Sequence, residues 1–293
     1  MKIFITGGTG FIGSAVIKEL LAKGHEVVGL ARSEKSEQTL TELGASAVHG
    51  SLEDLDSLKR GAEAADAIIH CAFVHNFADF VAAGQTDKRA IEALGEALAG
   101  TNKPFIVTSG VPRRADNQPV TENDESPTFA RMSEAAALPF AERGVKVMLV
   151  RPSRFVYGEA LINGFISSFI GIAAQKGVSA YVGDGGNRIH AVNVLDLAKL
   201  YILALKNGKA GAIYQGVGDG AIPYKDVAGT IGKRLNVPTA SISPEQATEH
   251  FGFLSRFVGA DNPASSEITQ TALGWKPTHP SLLETLAMEK TAL

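Results

Sequence analysis

Thr6-Gly7-Gly8-Thr9-Gly10-Phe11-Ile12-Gly13 sets three glycines in G-x-x-G-x-x-G spacing, directly after the apolar run Lys2–Ile5 and at the opening of a helical pattern over Gly13–Lys23. One glycine permits a tight turn, one lets the backbone approach a ligand, and one lets the helix pack closely on the strand. The start of the helix then offers free N–H groups and the positive end of its dipole to an anion. A glycine triplet alone carries little. Set between a strand and a helix, it specifies a loop for the pyrophosphate of a dinucleotide. Gly7, Thr9, Gly10, Phe11, Ile12 and Gly13 are the residues expected to line that loop.

Working outward, short apolar runs follow at Glu26–Leu30, Ala47–His49, Ala67–His70, Phe105–Thr108 and Lys146–Val150. Helical patterns lie among them at Asp54–Ala64, Asp87–Ala99 and Ser126–Arg143. Several runs are apolar throughout rather than alternating, the pattern of strands covered by helices on both faces. Strand and helix in turn predict right-handed crossovers and a doubly wound parallel α/β sheet of the Rossmann type. Residues 1–151 are the expected dinucleotide-binding domain. After Arg151-Pro152 the rhythm changes: helical patterns at Leu195–Leu205, Tyr224–Leu235, Pro244–His250 and Ser265–Leu273 are separated by shorter runs such as Ala212–Tyr214 and Ala240–Ile242. Residues 152–293 therefore predict a smaller mixed substrate lobe, with some segments returning to the main domain.

The end of the second strand distinguishes the two nicotinamide dinucleotides. A carboxylate there binds a ribose 2′-hydroxyl. This chain instead reads Val28-Gly29-Leu30-Ala31-Arg32-Ser33, with Lys35 close by and Glu34 partly offsetting it. A guanidinium presents paired donors to a 2′-phosphate and a serine hydroxyl adds another, so Arg32 and Ser33 predict NADPH (NADP) as the cofactor.

Composition narrows the classes. The 293 residues are 45% hydrophobic and 20% charged with a formal net charge of −3. That balance gives no electrostatic reason to expect nucleic acid or an anionic membrane as a partner. The single cysteine, Cys71, excludes an intrachain disulfide and suits a reducing compartment. Only a short apolar run precedes the first glycine, and the most apolar later stretch, Gly164–Ala174, is far shorter than a span, so a cytoplasmic location is expected. No His, Cys, Asp and Glu set has zinc spacing, and no metal is expected.

The residues together resemble the extended short-chain dehydrogenase/reductase family, including its atypical members, in the NAD-dependent epimerase/dehydratase-like superfamily. Thr6–Gly13 resembles its phosphate loop, and His70-Cys71-Ala72-Phe73 its segment along the cofactor after the fourth strand. Thr108-Ser109-Gly110 stands where the family places its active-site serine. Arg151-Pro152-Ser153-Arg154-Phe155-Val156-Tyr157-Gly158 is similar to its run beside the nicotinamide, and Val192–Ala198 to its V-H-V-x-D-V-A segment. The resemblance covers residues 1 to about 205. It implies cofactor contacts from Ser51, Leu52, Cys71, Ala72, Phe73, Thr108, Pro152, Ser153 and Val156.

One departure stands out. The family carries Tyr-x-x-x-Lys on the helix after the serine, and none of the five tyrosines here has a lysine four residues on. If Ser133-Glu134 takes the family's Ser-Lys place, Ala130 stands for the tyrosine and Glu134 for the lysine. The catalytic candidates left are Ser109, as a hydrogen-bond donor, and Arg131, for developing negative charge. Arg131 is equally readable as a buried ion-pair partner of Glu134, three residues on, or of Asp124. His75, Asn76, Tyr157, His190 and Asn193 are candidate substrate contacts, and Phe73, Phe77, Phe80, Phe155 and Phe165 candidate walls of an apolar pocket. No basic cluster suited to a sugar diphosphate is visible in the second half. The reading is an NADPH-dependent oxidoreductase that reduces a ketone, quinone or polyketide-like carbonyl on a small apolar molecule. A noncatalytic NADPH-binding redox regulator and a sugar-type epimerase or dehydratase remain open, as does the choice between monomer and homodimer.

Overall fold

The computed structural model describes residues 1–76, 79–126, 132–158 and 164–288. The strands are β1 (Lys2–Thr6), β2 (Glu26–Ala31), β3 (Ser46–His49), β4 (Ala67–His70), β5 (Pro104–Thr108), β6 (Lys146–Pro152), β7 (Phe155–Tyr157), β8 (Ser179–Val182), β9 (Arg188–Asn193), β10 (Ala212–Gly216), β11 (Asp219–Pro223) and β12 (Thr239–Ile242). Seven form one sheet in the order β10-β6-β5-β4-β1-β2-β3. Every pairing in it is parallel. The order reverses between β1 and β4, which opens a crevice at the carboxyl ends of those strands.

Helices α1 (Phe11–Ala22), α2 (Glu34–Glu42), α3 (Leu55–Glu63), α4 (Phe80–Leu98), α5 (Ser133–Ala137), α6 (Gly164–Lys176), α7 (Val194–Asn207) and α8 (Tyr224–Leu235) pack around the strands. One sheet face is covered by α1, α2 and α7, whose Val16, Leu20, Leu40, Leu197 and Tyr201 meet Ile3, Ile5 and Ile69. The other is covered by α3, α4 and α5, whose Leu58, Ile91, Leu94 and Ala137 meet Phe4, Ile68 and Phe105. Two buried faces explain the unbroken apolar strands: all four residues of β4 are buried.

The second half divides between the two regions. β10 forms an edge of the main sheet, and α7 helps to cover its face. The Trp275 indole N–H donates to the Asp196 carbonyl at 2.8 Å, tying a late segment back to α7. The rest builds a second core around Phe155, Phe169, Tyr224, Phe251 and Leu282. It holds the mixed sheet β11-β9-β7 and the parallel pair β12-β8.

Three details differ from the sequence reading. Helix α2 was not legible because it is mostly polar and buries only Leu40. The helix expected over Ser126–Arg143 starts, among the described residues, at Ser133 and passes into a 3₁₀ turn over Leu138–Ala141. Pro139 lies in that turn, and a proline cannot donate to a regular helical ladder. The apolar stretch Gly164–Ala174 falls within α6, which buries Ile166, Phe169 and Ala173. Among the described residues no helix is long and apolar enough to cross a membrane.

Candidate functional site

The phosphate loop leaves β1 at Gly7, whose φ of +72° lies in the left-handed region. A Cβ on Gly7 would sit 2.6 Å from the Ala72 nitrogen, and one on Gly13 would sit 2.1 Å from the Gly7 oxygen. Loop, helix and β4 exit therefore meet backbone to backbone. Cys71 N–H donates to the Thr6 carbonyl at 3.1 Å, and Ala72 N–H to Thr6 Oγ1 at 3.4 Å. Helix α1 begins at Gly10 with no side-chain cap and no acidic residue in its first turn. Its first N–H groups thus face outward without a side-chain acceptor, the arrangement that receives an anion. Thr9 and Gly10 are exposed, while Phe11 and Ile12 are half-buried. A dinucleotide pyrophosphate fits this cradle.

At the end of β2, Arg32 is exposed, and among the described residues no carboxylate lies within ion-pair distance of it. Ser33 caps α2 by accepting the Ser36 N–H at 3.3 Å, and its hydroxyl also meets Ser36 Oγ at 3.0 Å. After β3, Ser51 Oγ accepts the N–H groups of Glu53 and Asp54, each at 3.2 Å, while Leu52 packs on the core. Both serines hold local turns.

The centre of the sheet is closed by two buried polar chains that meet on α5. In the first, Thr6 Oγ1 and His70 Nδ1 are 2.8 Å apart, and His70 Nε2 lies 3.0 Å from Asp87 Oδ1. Ser133 Oγ completes it by donating to Asp87 Oδ2 at 2.5 Å. In the second, Ser109 Oγ donates to Glu134 Oε1 at 2.7 Å. Arg151 donates from both Nε and Nη2 to the same carboxylate at 2.7 Å each. Arg151 is wholly buried, so this bidentate pair meets its need for an acceptor. Thr108 Oγ1 beside them lies 2.7 Å from the Tyr201 hydroxyl and donates to Cys71 Sγ at 3.4 Å.

The sequence reading of Arg131 as a partner of Glu134 or Asp124 falls on a residue outside the described ones. Glu134 pairs with Arg151, and Asp124 pairs with Arg114. Arg131, Ala130 and Phe77 lie outside the described residues. The partnerships of His70 with Asp87 and of Glu134 with Arg151 were missed. The available signal was an arginine closing the apolar run Val147–Val150, since a buried guanidinium demands a partner. Sequence spacing does not say which carboxylate answers it.

The remaining candidates scatter. Tyr157 is buried and donates to the Pro280 carbonyl at 2.8 Å, with Asp219 Oδ2 at 3.3 Å. Burial, reinforced by the Asp219 charge, raises the Tyr157 pKa far above its ordinary value. Asn193 caps α7 by accepting the Leu195 N–H at 2.9 Å, which leaves its Nδ2 buried without an acceptor among the described residues. Tyr157 and Asn193 line a polar cavity of about 220 Å³ with Asp196, Asp219 and His279. His190 is buried, and its Nδ1 accepts the Arg154 N–H at 3.3 Å. Burial and the Arg154 charge push its pKa down to about 3, so it is neutral at ordinary pH. His75 and Asn76 are exposed at the β4 exit, where His75 lies edge-on to Phe73 at 5.4 Å. Ser153 donates from its hydroxyl to the Gly216 carbonyl at 3.0 Å, fixing the chain just after Pro152, and Val156 is half-buried in β7.

Comparison with known proteins bears on this arrangement. Residues 3–216 match the family model described as the NAD dependent epimerase/dehydratase family. A protein of Schizosaccharomyces pombe without an assigned activity is 46% identical over 293 residues, covering 99% of each chain. The 4-hydroxy-2-methyl-3-oxo-4-farnesyl-3,4-dihydroquinoline-1-oxide ketoreductase of Stigmatella aurantiaca is 27% identical, covering 73% of this chain and 67% of its own. Among solved structures, the dTDP-glucose 4,6-dehydratase DesIV of Streptomyces venezuelae, with NAD and TYD bound, superposes with a TM-score of 0.79. It is 21% identical, covers 98% of this chain and 95% of its own, and so shows the fold alone.

Proposed function

Because the chain belongs to the NAD dependent epimerase/dehydratase family, we propose that it is an NADPH-dependent reductase acting on the carbonyl of a small, largely apolar molecule. The observation that carries this reading is Arg32, exposed at the end of β2 with no carboxylate within ion-pair distance among the described residues. A free guanidinium at that place suits a 2′-phosphate, where a carboxylate would suit a free 2′-hydroxyl. The ketoreductase named among the relatives supports the direction of the chemistry.

In this reading residues 1–151 hold the cofactor and residues 152–293 carry the substrate lobe. Gly7, Gly10 and Gly13 let the backbone approach the pyrophosphate, and the α1 terminus supplies N–H donors to it. Arg32 binds the 2′-phosphate, with Ser33 beside it. Cys71, Ala72, Phe73, Pro152, Ser153 and Val156 flank the nicotinamide half. Reduced nicotinamide, when bound, supplies a hydride to the carbonyl carbon, and the carbonyl oxygen takes a proton. Ser109 orients Glu134 at the floor of the site, and Arg131, which lies outside the described residues, is the sequence candidate for the developing negative charge. Neutral His190 and the sequestered Tyr157 hydroxyl are poor acids here, so the proton comes from water or a hydroxyl of the substrate itself. A missing general acid slows such a reaction by roughly 10²–10⁴, which an activated carbonyl tolerates.

The test is NADPH oxidation, followed by absorbance, over a panel of quinones, aryl ketones and polyketide-like diketones, with NADH in parallel. Turnover with NADPH and little with NADH is expected. Tight NADPH binding with no turnover on any carbonyl overturns the reductase reading in favour of a noncatalytic NADPH-binding regulator.

A further inference from the structure

Among the described residues, Arg154 is a half-buried cation without an ion-pair partner. It follows Ser153 at the carboxyl end of β6, on the short link into β7. Its backbone N–H is anchored on His190 Nδ1 at 3.3 Å. Its guanidinium carbon lies 5.5 Å from the centre of the Phe257 ring. Phe257 stacks on Phe165 at 5.0 Å, and Phe165 meets Phe155 at 6.0 Å. A half-buried cation thus terminates a tier of three aromatic rings. Among the described residues no carboxylate lies within ion-pair distance of Arg154. Its charged neighbour is another cation, Arg113, on the loop that leaves β5. Asp261, a carboxylate near Arg113, is held by Arg188 at 2.7 Å.

The arrangement is costly. A desolvated guanidinium keeps its charge, and without a partner it loses several kcal/mol of hydration. Burial and the like charge of Arg113 both lower the Arg154 pKa, the direction expected of a cation lacking an anion. An anionic ligand at this place would offset that cost. The cofactor's phosphates are badly placed to do so. β6 stands three strands from β1 and four from β2 in the sheet order. At ~4.8 Å per strand, that puts Arg154 about 14 Å from the pyrophosphate loop and about 19 Å from the 2′-phosphate end.

We propose that Arg154, supported by Arg113, is an oxyanion subsite of the substrate cleft, so that the preferred substrate is an aromatic or apolar molecule bearing a carboxylate. This rests on the reading of the cleft as the substrate site of a reductase. The planar fork of Arg154 receives both carboxylate oxygens, while Phe257 and Phe165 cover the apolar body. A phosphate monoester offers the same oxyanion chemistry and is separated from a carboxylate by experiment. The subsite was not visible as a cluster in the sequence, because Arg113 and Arg154 come from loops after different strands.

The experiment is calorimetric titration of the NADP-loaded protein with phenylacetate, 3-phenylpropionate and 4-phenylbutyrate, each against its neutral primary amide, and with phenyl phosphate. At least one acid is expected to bind about tenfold or more tightly than its amide, and Arg154→Gln to reduce that ratio to near one. Equal binding of acid and amide across the series, failure of every acid to bind, or an acid preference that survives Arg154→Gln each overturns the carboxylate assignment. Phenyl phosphate binding tighter than every carboxylate, and losing that advantage in Arg154→Gln, moves the subsite to phosphate esters. A second measurement guards against a folding artefact: Arg154→Met is expected to raise the melting temperature of the ligand-free protein, and a lower one overturns the claim that this cation is unpaired. Because these readouts are binding and stability, the two readings fail separately. Arg154-dependent acid binding without NADPH turnover sinks the reductase alone. Turnover of neutral ketones with no Arg154-dependent acid binding sinks the subsite alone.

Discussion

Arg151 and Arg154 stand three residues apart at the exit of one strand, and the fold treats them in opposite ways. Arg151 is wholly buried and meets both oxygens of Glu134, which also accepts from Ser109. Arg154 is half-buried against Phe257, beside Arg113, with no carboxylate in reach among the described residues. The first belongs to the closed floor of the crevice, and the second is the proposed substrate subsite. A paired charge at that depth fixes geometry, whereas an unpaired one carries a desolvation cost that a bound anion would offset. Chain position alone would have put both in the same class.

The sharpest way to break the comparison is to orphan Arg151. Glu134→Ala leaves a fully buried guanidinium without its carboxylate, and removing one partner of such a pair costs about 3–5 kcal/mol. Urea unfolding should show that loss. The double variant Glu134→Leu/Arg151→Met should recover most of it, since apolar residues of similar size substitute well for a buried pair. If Glu134→Ala unfolds like the parent, the floor is not the structural pair described.

Next in size is a pH effect that reports on the Arg154 side. The pKa of His190 is lowered from 6.5 to about 3 in the folded protein. Between those values the unfolded chain binds a proton that the folded chain refuses, so the stability present above pH 6.5 is lost as pH falls toward 3. The slope is about 1.4 kcal/mol per pH unit for one proton. His190→Gln should flatten the profile by that amount in this window, as read from denaturant midpoints at stepped pH. Arg154→Gln should narrow the window, because the Arg154 charge is the second cause of the depression. A His190→Gln profile parallel to the parent would remove His190 from this account.

The cofactor end offers a smaller effect and a lesson about legibility. Arg32→Glu should weaken NADPH binding about tenfold or more, roughly 1.4 kcal/mol, with little change for NADH. Equal losses for both cofactors would remove the 2′-phosphate assignment. The glycine turn between β1 and α1, the parallel sheet and the place of Arg32 at the end of β2 were all readable because they depend on local spacing: glycine at a turn, apolar runs in strands, a charge at a strand end. Glu134 with Arg151, and Asp87 with His70, were unreadable because each joins elements 17 residues apart through side chains that carry no period. Ser33 and Ser51 read as cofactor contacts; in the structure their hydroxyls accept local backbone N–H groups. The run Ala240–Ile242 marked β12, but β7 and β8 were hard to see because they are three or four residues long and lie among helices.

The smallest expected effect decides the most about chemistry. Ser109 donates its only hydroxyl proton to Glu134, so the same proton is not offered to a substrate oxygen. Ser109→Ala removes one hydrogen bond while Glu134 keeps both from Arg151, which predicts a stability loss of about 1 kcal/mol. Reduction should slow by less than about tenfold, well short of the roughly 10²–10⁴ associated with a positioned general acid. If turnover instead falls by that larger factor with NADPH affinity unchanged, the hydroxyl must turn from Glu134 to the substrate during the reaction. The contrast between a closed floor and an open cleft would then fail at Ser109, and Glu134 would become the residue that resets the serine between turnovers.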